Sequence, residues 1–280
     1  MILQELIQWG INELGNQKEH AQKEHTQEVF WLLCALLKVD KSHLIAWPEK
    51  ELSQDQVMLF ESMIEKRKQG LPLAYLLGHQ EFWSMTFKVT PDTLIPRPET
   101  EVLVEALLNL LPRKPQKILE LGTGSGAIAC ALASERPDWI IHAVDFDPNT
   151  LKVAQQNINT HQCHQIHAYQ SNWFESVKPE KFNAIVSNPP YVAEHSPYLE
   201  CGTRYEPQKA LISGEDGLKD LKQIIQEAKA FLVPLGVLCL EHGFDQRSSV
   251  HQYLIENGYH SICHIKDFNG KDRVTYAYAD

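Results

Sequence analysis

Long hydrophobic runs are missing from this sequence of 280 residues. The longest, Val29 to Leu37, is about half of the roughly 20 residues that a membrane span needs, and no basic segment precedes it near the N-terminus. A cytoplasmic protein with no signal peptide and no membrane association is expected. Cys-x-x-Cys pairs are also missing. Six cysteines, at positions 34, 130, 163, 201, 239 and 263, stand singly in a chain too large to need disulfide staples, so reduced thiols are expected. Basic residues are scarce: 26 Lys and Arg against 36 Asp and Glu leave a formal charge of −10. That balance argues against broad, non-specific attraction to nucleic acid, which depends on clustered Lys and Arg at phosphates. No period of 20 to 50 residues and no low-complexity segment occurs, which excludes a solenoid.

What is present is an ordinary folded composition, 43% hydrophobic, with length for one large domain or two ordinary ones. Leu3, Leu6, Ile7 and Leu14 share one helical face, and Val29, Leu32, Leu33, Leu36 and Leu37 form a second stripe. Ser53 followed three residues later by Gln56 is a capping-box arrangement for a third helix carrying Val57, Phe60 and Ile64, and Gly70-Leu71-Pro72 ends it. A helical domain over 1–75 follows. It has no reactive constellation, which suits substrate docking better than catalysis.

Residues 76–95 read as a connector, because Phe82, Trp83, Thr86, Phe87 and Val89 suit a short strand or hairpin. Arg97 then sits between Pro96 and Pro98, in rigidly extended chain that fits a positioning role toward substrate. A helix with Val102, Val104, Leu107, Leu108 and Leu111 comes next. From 96 to 280 the chain alternates strands and helices, the signature of a parallel sheet covered on both faces. Strands are expected at 117–121, 139–144, 164–169, 182–186 and 236–241, with a closing hairpin at 261–267 and 273–279, seven in all. Helices are expected at 126–134, 148–159, 218–232 and 246–257.

Chemistry gathers at the ends of the first, second and fourth of these strands. Gly122-Thr123-Gly124-Ser125-Gly126 falls where the first strand should turn into a helix, the place where glycines let backbone approach a ligand closely. Ala127 and Ile128 follow, so the third glycine of the dinucleotide fingerprint is absent, and a nucleoside fits better than a pyrophosphate. Asp145 ends the second strand, 145 − 122 = 23 residues after the first glycine, close to the roughly 20 that place a carboxylate on ribose hydroxyls. Asn188-Pro189-Pro190-Tyr191 ends the fourth. Proline has no N–H for the ladder, so the strand must stop there and present Asn188 at the same carboxyl edge.

A glycine-rich loop, an acid after strand two and Asn-Pro-Pro-Tyr after strand four resemble a class I S-adenosylmethionine-dependent methyltransferase acting on nitrogen. Leu94-Ile-Pro-Arg-Pro-Glu-Thr-Glu101, Arg204-Tyr205-Glu206-Pro207, Glu241-His242-Gly243 and Gly270-Lys-Asp-Arg-Val274 narrow the resemblance to the PrmC/HemK family of release-factor glutamine methyltransferases, over essentially the whole chain. The resemblance implies a seven-stranded, doubly wound (Rossmann-like) α/β domain preceded by a small helical bundle. It implies methyl transfer from S-adenosylmethionine, leaving S-adenosylhomocysteine, to the glutamine of the Gly-Gly-Gln motif in class 1 peptide-chain release factors. By the same resemblance Gly122, Thr123, Gly124, Ser125 and Gly126 cradle the methionine part, Asp145 holds ribose and Trp173 lies beside adenine. Asn188 contacts both donor and substrate. The family often has Ser-Asp-Trp-Phe where this chain has Ser171-Asn172-Trp173-Phe174, which leaves a hydrogen-bonding amide in place of a charge.

An amide nitrogen is a poor nucleophile because its lone pair is delocalised, the resonance behind a rotation barrier of roughly 18 to 20 kcal/mol in peptides. If the Asn188 oxygen and the Pro189 carbonyl each accept one N–H, the nitrogen is held as though tetrahedral and positive charge growing on it is stabilised. Tyr191 is expected to pack on the planar amide, with Pro190 completing the substrate wall. A DNA adenine N6-methyltransferase, or an enzyme acting on another protein glutamine or asparagine, is the alternative; the former would need basic phosphate contacts that the sequence lacks. No stable nucleic-acid partner is expected, and a monomer is the working expectation. No metal is called for: His161, Cys163, His164 and His167 straddle a helix end and an alternating strand, and His242 reads as a strand-end residue.

Overall fold

A computed structural model describes residues 1–15, 19–199 and 203–280, without the side chains of residues 19–22 and 198; Cys201 lies outside the described residues. The chain divides into two compact units, Met1–His79 and Gln80–Asp280.

The first unit is built from α1 (Leu3–Leu14), α2 (Glu19–Leu37), α3 (Lys41–Ala46), α4 (Gln54–Lys68) and α5 (Leu73–Leu77). The apolar stripes meet in one core, in which Leu3, Leu6, Val29, Leu32, Leu33, Phe60 and Ile64 are fully enclosed. Ser53 caps α4 reciprocally: its hydroxyl accepts Gln56 N–H at 3.2 Å, and Gln56 Oε1 accepts Ser53 N–H at 3.0 Å. Arg67 near the end of α4 grips Glu28 of α2 through two bonds of 2.9 Å. The short α3 and α5 carry too few residues to show a helical period in sequence.

A hairpin, β1 (His79–Phe82) and β2 (Met85–Lys88), begins at the last residue of the first unit and opens the second. A 3-10 turn at Pro98–Thr100 leads straight into α6 (Glu101–Leu110). There follow β3 (Lys117–Leu121), α7 (Ala127–Glu135), β4 (Ile140–Asp145), α8 (Pro148–Thr160), β5 (Ile166–Gln170) and β6 (Phe182–Ser187). The chain ends with α9 (Lys219–Ala228), β7 (Leu232–Glu241), α10 (Arg247–Glu256), β8 (His260–Lys266) and β9 (Asp272–Tyr278). The seven strands lie in the order β5-β4-β3-β6-β7-β9-β8, with β9 antiparallel to both neighbours and the other pairings parallel.

Period-two alternation fills both faces of this sheet. Ile118, Ile141, Ala143, Ala184, Val186, Val237 and Cys239 pack with α6 and α7. Leu119, Leu121, Val144, Ile185, Leu238 and Leu240 pack with α9 and α10. Strand order reverses between β3 and β6, which makes the gap beyond their carboxyl ends the topological switch point where open α/β sheets bind ligands. Strand β7 starts at Leu232 rather than at Gly236: Phe182 pairs with Leu232 but Ala184 with Val237, so Val233–Gly236 forms a bulge with exposed Leu235 at φ 60°. Residues 233–235, which fall between the expected helix 218–232 and the expected strand 236–241, belong to this bulge.

Candidate active site

The loop after β3 occupies one side of the switch point. Gly122 and Gly124 have φ of 69° and 58°, left-handed values that charge an L side chain about 1–2 kcal/mol. Thr123 N–H bonds Val144 O at 2.9 Å and its hydroxyl donates to Glu120 Oε2 at 2.8 Å, so the loop is pinned to β4 and to its own strand. Gly124 N–H in turn donates to Asp145 Oδ2 at 3.0 Å, while Asp145 Oδ1 accepts Asp147 N–H at 3.1 Å. Burial raises the Asp145 carboxyl, against the lowering pull of those two N–H groups. Glu120 is fully enclosed, and burial pushes it up to about 8 despite the Thr123 hydroxyl. Trp173 faces the loop: a β-carbon on Gly122 would lie 3.6 Å from its indole ring. Its own φ of 46° is an uncommon value for a bulky residue, held by the Ser171 hydroxyl, which donates to Trp173 O at 2.8 Å and accepts Ser176 N–H at 2.9 Å.

Sheet register sets the other side. Ser187 pairs with Leu240, so one residue further β6 and β7 deliver Asn188 and Glu241 side by side. Asn188 Nδ2 donates to Thr100 Oγ1 at 3.1 Å, which leaves Oδ1 as the acceptor of this side chain. Tyr191 donates its hydroxyl to Glu241 Oε1 at 3.0 Å, and its backbone oxygen accepts Gln246 Nε2 at 2.9 Å. Burial keeps the Tyr191 phenol protonated and raises the Glu241 carboxyl; Thr100, Arg273 and Tyr191 oppose the latter shift.

These elements enclose a cavity of about 320 Å³. Gly122, Thr123, Gly124, Ser125, Asp145, Trp173, Asn188, Pro190 and Arg97 line it together, as does Asn172, whose Nδ2 is bonded to Glu175 at 2.7 Å. Gly126, Pro189 and Tyr191 are outside that lining: Gly126 stands at the N-cap position before α7, Pro189 is buried, and Tyr191 turns its hydroxyl to Glu241. Arg97 is ion-paired with Glu206, not simply solvated. Sequence reasoning also left out Thr100, Phe146 and Lys209, which line the same cavity. Phe146 directly follows Asp145, and Thr100 lies within the Arg-Pro-Glu-Thr run, so position could have flagged both. Lys209 could not be found that way, because its partner Asp147 is 62 residues distant and its perch 4.7 Å over the Phe146 ring exists only in the fold. Among the described residues no group of three or more His, Cys, Asp or Glu side chains is placed to hold a metal ion.

A glycine loop, a buried carboxylate and an oriented asparagine amide meet at the switch point of a class I, Rossmann-like methyltransferase fold. A Methyltransferase small domain family model matches residues 98–204, and a PrmC N-terminal domain model matches residues 5–78. The release factor glutamine methyltransferase of Shewanella oneidensis is 43% identical over 97% of this chain and 94% of its own length. That of Escherichia coli K12 is 44% identical over 84% of this chain and 85% of its own. The chain belongs to the release factor glutamine methyltransferase family, and it is an enzyme. A methyltransferase from Pyrococcus furiosus shares the fold, with a TM-score of 0.54 at 20% identity over 78% of this chain and 96% of its own. No helix among the described residues is long and apolar enough to cross a membrane.

Proposed function

We propose that this enzyme transfers the methyl group of S-adenosylmethionine to the side-chain amide nitrogen (N5) of the glutamine in the Gly-Gly-Gln motif of class 1 peptide-chain release factors. The observation that carries the reading is the Asn188 amide: with Nδ2 committed to Thr100, Oδ1 is the atom left to accept an N–H from the substrate. The donor supplies an electrophilic methyl group when bound. Gly122 to Ser125 would hold its methionine part, with Gly126 shaping the loop from outside the lining, Asp145 its ribose and Trp173 its adenine; the left-handed backbone and the buried carboxyl at the cavity wall suit that chemistry.

Asn188 Oδ1 and Pro189 O accept the two amide hydrogens, withdraw the nitrogen lone pair from resonance and stabilise the charge that grows on nitrogen. Pro190 and the Arg97 segment shape the substrate wall, Tyr191 lies outside it with its hydroxyl on Glu241, and fixed placement of both reactants supplies much of the rate. The unit Met1–His79 docks the release factor in the cytoplasm. Its exposed Trp31, Ile45, Trp47, Met58 and Leu59 offer apolar contact surface on a helical scaffold. Incubation with labelled S-adenosylmethionine and a panel of release factor, duplex DNA and ribosomal proteins tests the reading. Label on the release factor supports it, and label on DNA adenine alone rejects it.

A further inference from the structure

We propose that Gln246 is a positioning residue which, through the Tyr191 backbone, holds the Asn188–Tyr191 turn in place against the acceptor nitrogen. Proline has no N–H, so Pro189 and Pro190 cannot secure their own backbone by donating a hydrogen bond. The place of the Pro189 carbonyl therefore depends on anchors at the two ends of the turn. Upstream, the Ser187 hydroxyl donates to Leu121 O at 2.8 Å and Asn188 Nδ2 to Thr100 Oγ1 at 3.1 Å. Downstream, the Tyr191 carbonyl accepts Gln246 Nε2 at 2.9 Å, from a residue 55 positions further along the chain.

Gln246 is buried and stands at the N-cap position of α10, yet its side chain makes no capping bond. It turns inward instead. Its backbone N–H donates to Gly243 O at 2.9 Å and its Oε1 accepts Gly243 N–H at 2.8 Å, a reciprocal pair that closes the turn after β7. With the oxygen committed there, Nε2 gives its two hydrogens to two carbonyls, Tyr191 O at 2.9 Å and Gly217 O at 3.2 Å. Every partner is a backbone group of fixed donor or acceptor sense, so the amide has one orientation and no side-chain ionisation enters. One side chain thus joins the chain after β6, before α9 and after β7. Gly217 makes the approach possible: its φ is 72°, and a β-carbon on it would lie 2.4 Å from Tyr191 O and 2.8 Å from Gln246 Nε2. The inference rests on the Asn188 and Pro189 oxygens accepting the N–H groups of the acceptor. A shift of about 1 Å at such a hold is enough to slow transfer roughly 100-fold.

The test uses the full chain with Gln246→Met, Tyr191→Phe and the double variant, measuring kcat, the KM for the acceptor and equilibrium binding of S-adenosylhomocysteine well below each Tm. Gln246→Met keeps the length of the side chain and removes its hydrogen bonds. It should lower kcat on the order of 10- to 100-fold, with acceptor KM within about threefold and product affinity within about twofold. Tyr191→Phe removes the second downstream anchor, the hydroxyl on Glu241. Because both anchors hold one residue, the double variant should lose about threefold or more beyond the product of the single losses. Gln246→Glu keeps the acceptor for Gly243 N–H and loses at least one of the two N–H donors, so a smaller fall in the same direction is expected if Gln246→Met does not fold. Wild-type kcat in Gln246→Met, a double variant that loses only the product, product binding lost in proportion to kcat, or failure of both Gln246 variants to fold would each overturn the proposal. If the wild type labels DNA and not release factor, the substrate assignment fails, while the same variants assayed on the acceptor that takes label still decide the role of Gln246.

Discussion

Arg97 and Glu206, 109 positions apart, form an ion pair that ties the segment before α6 to the segment after Asn188. Glu206 also accepts Ile95 N–H at 3.0 Å through its other oxygen and is almost completely enclosed. One carboxylate thus fixes two points of the Leu94–Glu101 run against the cavity. Replacing Glu206 by alanine leaves a buried N–H and a guanidinium without their partner. A loss of about 1–3 kcal/mol is expected, read as a lowered Tm by thermal unfolding, together with weaker acceptor binding. An unchanged Tm would show that the pair holds nothing.

Asn188→Ala should bind S-adenosylmethionine as the wild type does and transfer the methyl group on the order of 10² to 10³-fold more slowly, the usual cost of one transition-state hydrogen bond. Calorimetric binding and single-turnover kinetics separate the two effects. Wild-type turnover would remove Asn188 from the chemistry.

Gly124 has open space where a β-carbon would project, so its substitution is governed by backbone and not by collision. Holding alanine at φ 58° costs about 1–2 kcal/mol. Relaxing that strain moves the N–H that Asp145 accepts. Gly124→Ala is expected to weaken donor affinity by roughly tenfold with little change in acceptor KM. Equal losses for both substrates would place the loop's role elsewhere.

Glu120 makes stability depend on pH. Its folded value, about 8, lies above its ordinary 4.5, so the folded state keeps a proton that the unfolded chain releases between those limits. Its stabilising contribution is full below 4.5 and is lost as pH rises through 8. His142, His242 and His264 are pushed down by burial and act in the opposite sense, losing stability as pH falls below their ordinary 6.5. Comparing the wild type with Glu120→Gln separates the Glu120 effect from that of other buried groups such as Glu241. Thermal unfolding at pH 6.5 and 8 should show Glu120→Gln gaining Tm relative to the wild type as pH rises. Parallel behaviour would mean that Glu120 is ionised in the fold.

Much of this was legible in the chain because the signals are local. Strand β3 falls on Lys117–Leu121 as its apolar run indicates, and the Ser53 cap forms as spaced. The glycine loop, Asp145 and Asn188 converge because parallel strands carry their carboxyl ends to one edge. What stayed hidden depends on pairings that no local pattern encodes: Glu206 on Arg97, Lys209 on Asp147, and Thr100 on Asn188. The bulge in β7 was missed for a related reason, since Pro234-Leu235-Gly236 carries the composition of a turn and only the neighbouring strand keeps it in the sheet.

The most direct measurement localises the transferred methyl group by peptide mass spectrometry after incubation with S-adenosylmethionine and a class 1 release factor. The account predicts modification at the side-chain nitrogen of the Gly-Gly-Gln glutamine, and none in a release factor whose motif glutamine is replaced by alanine. Methylation that persists in the alanine form, or that appears only on added duplex DNA, would contradict it.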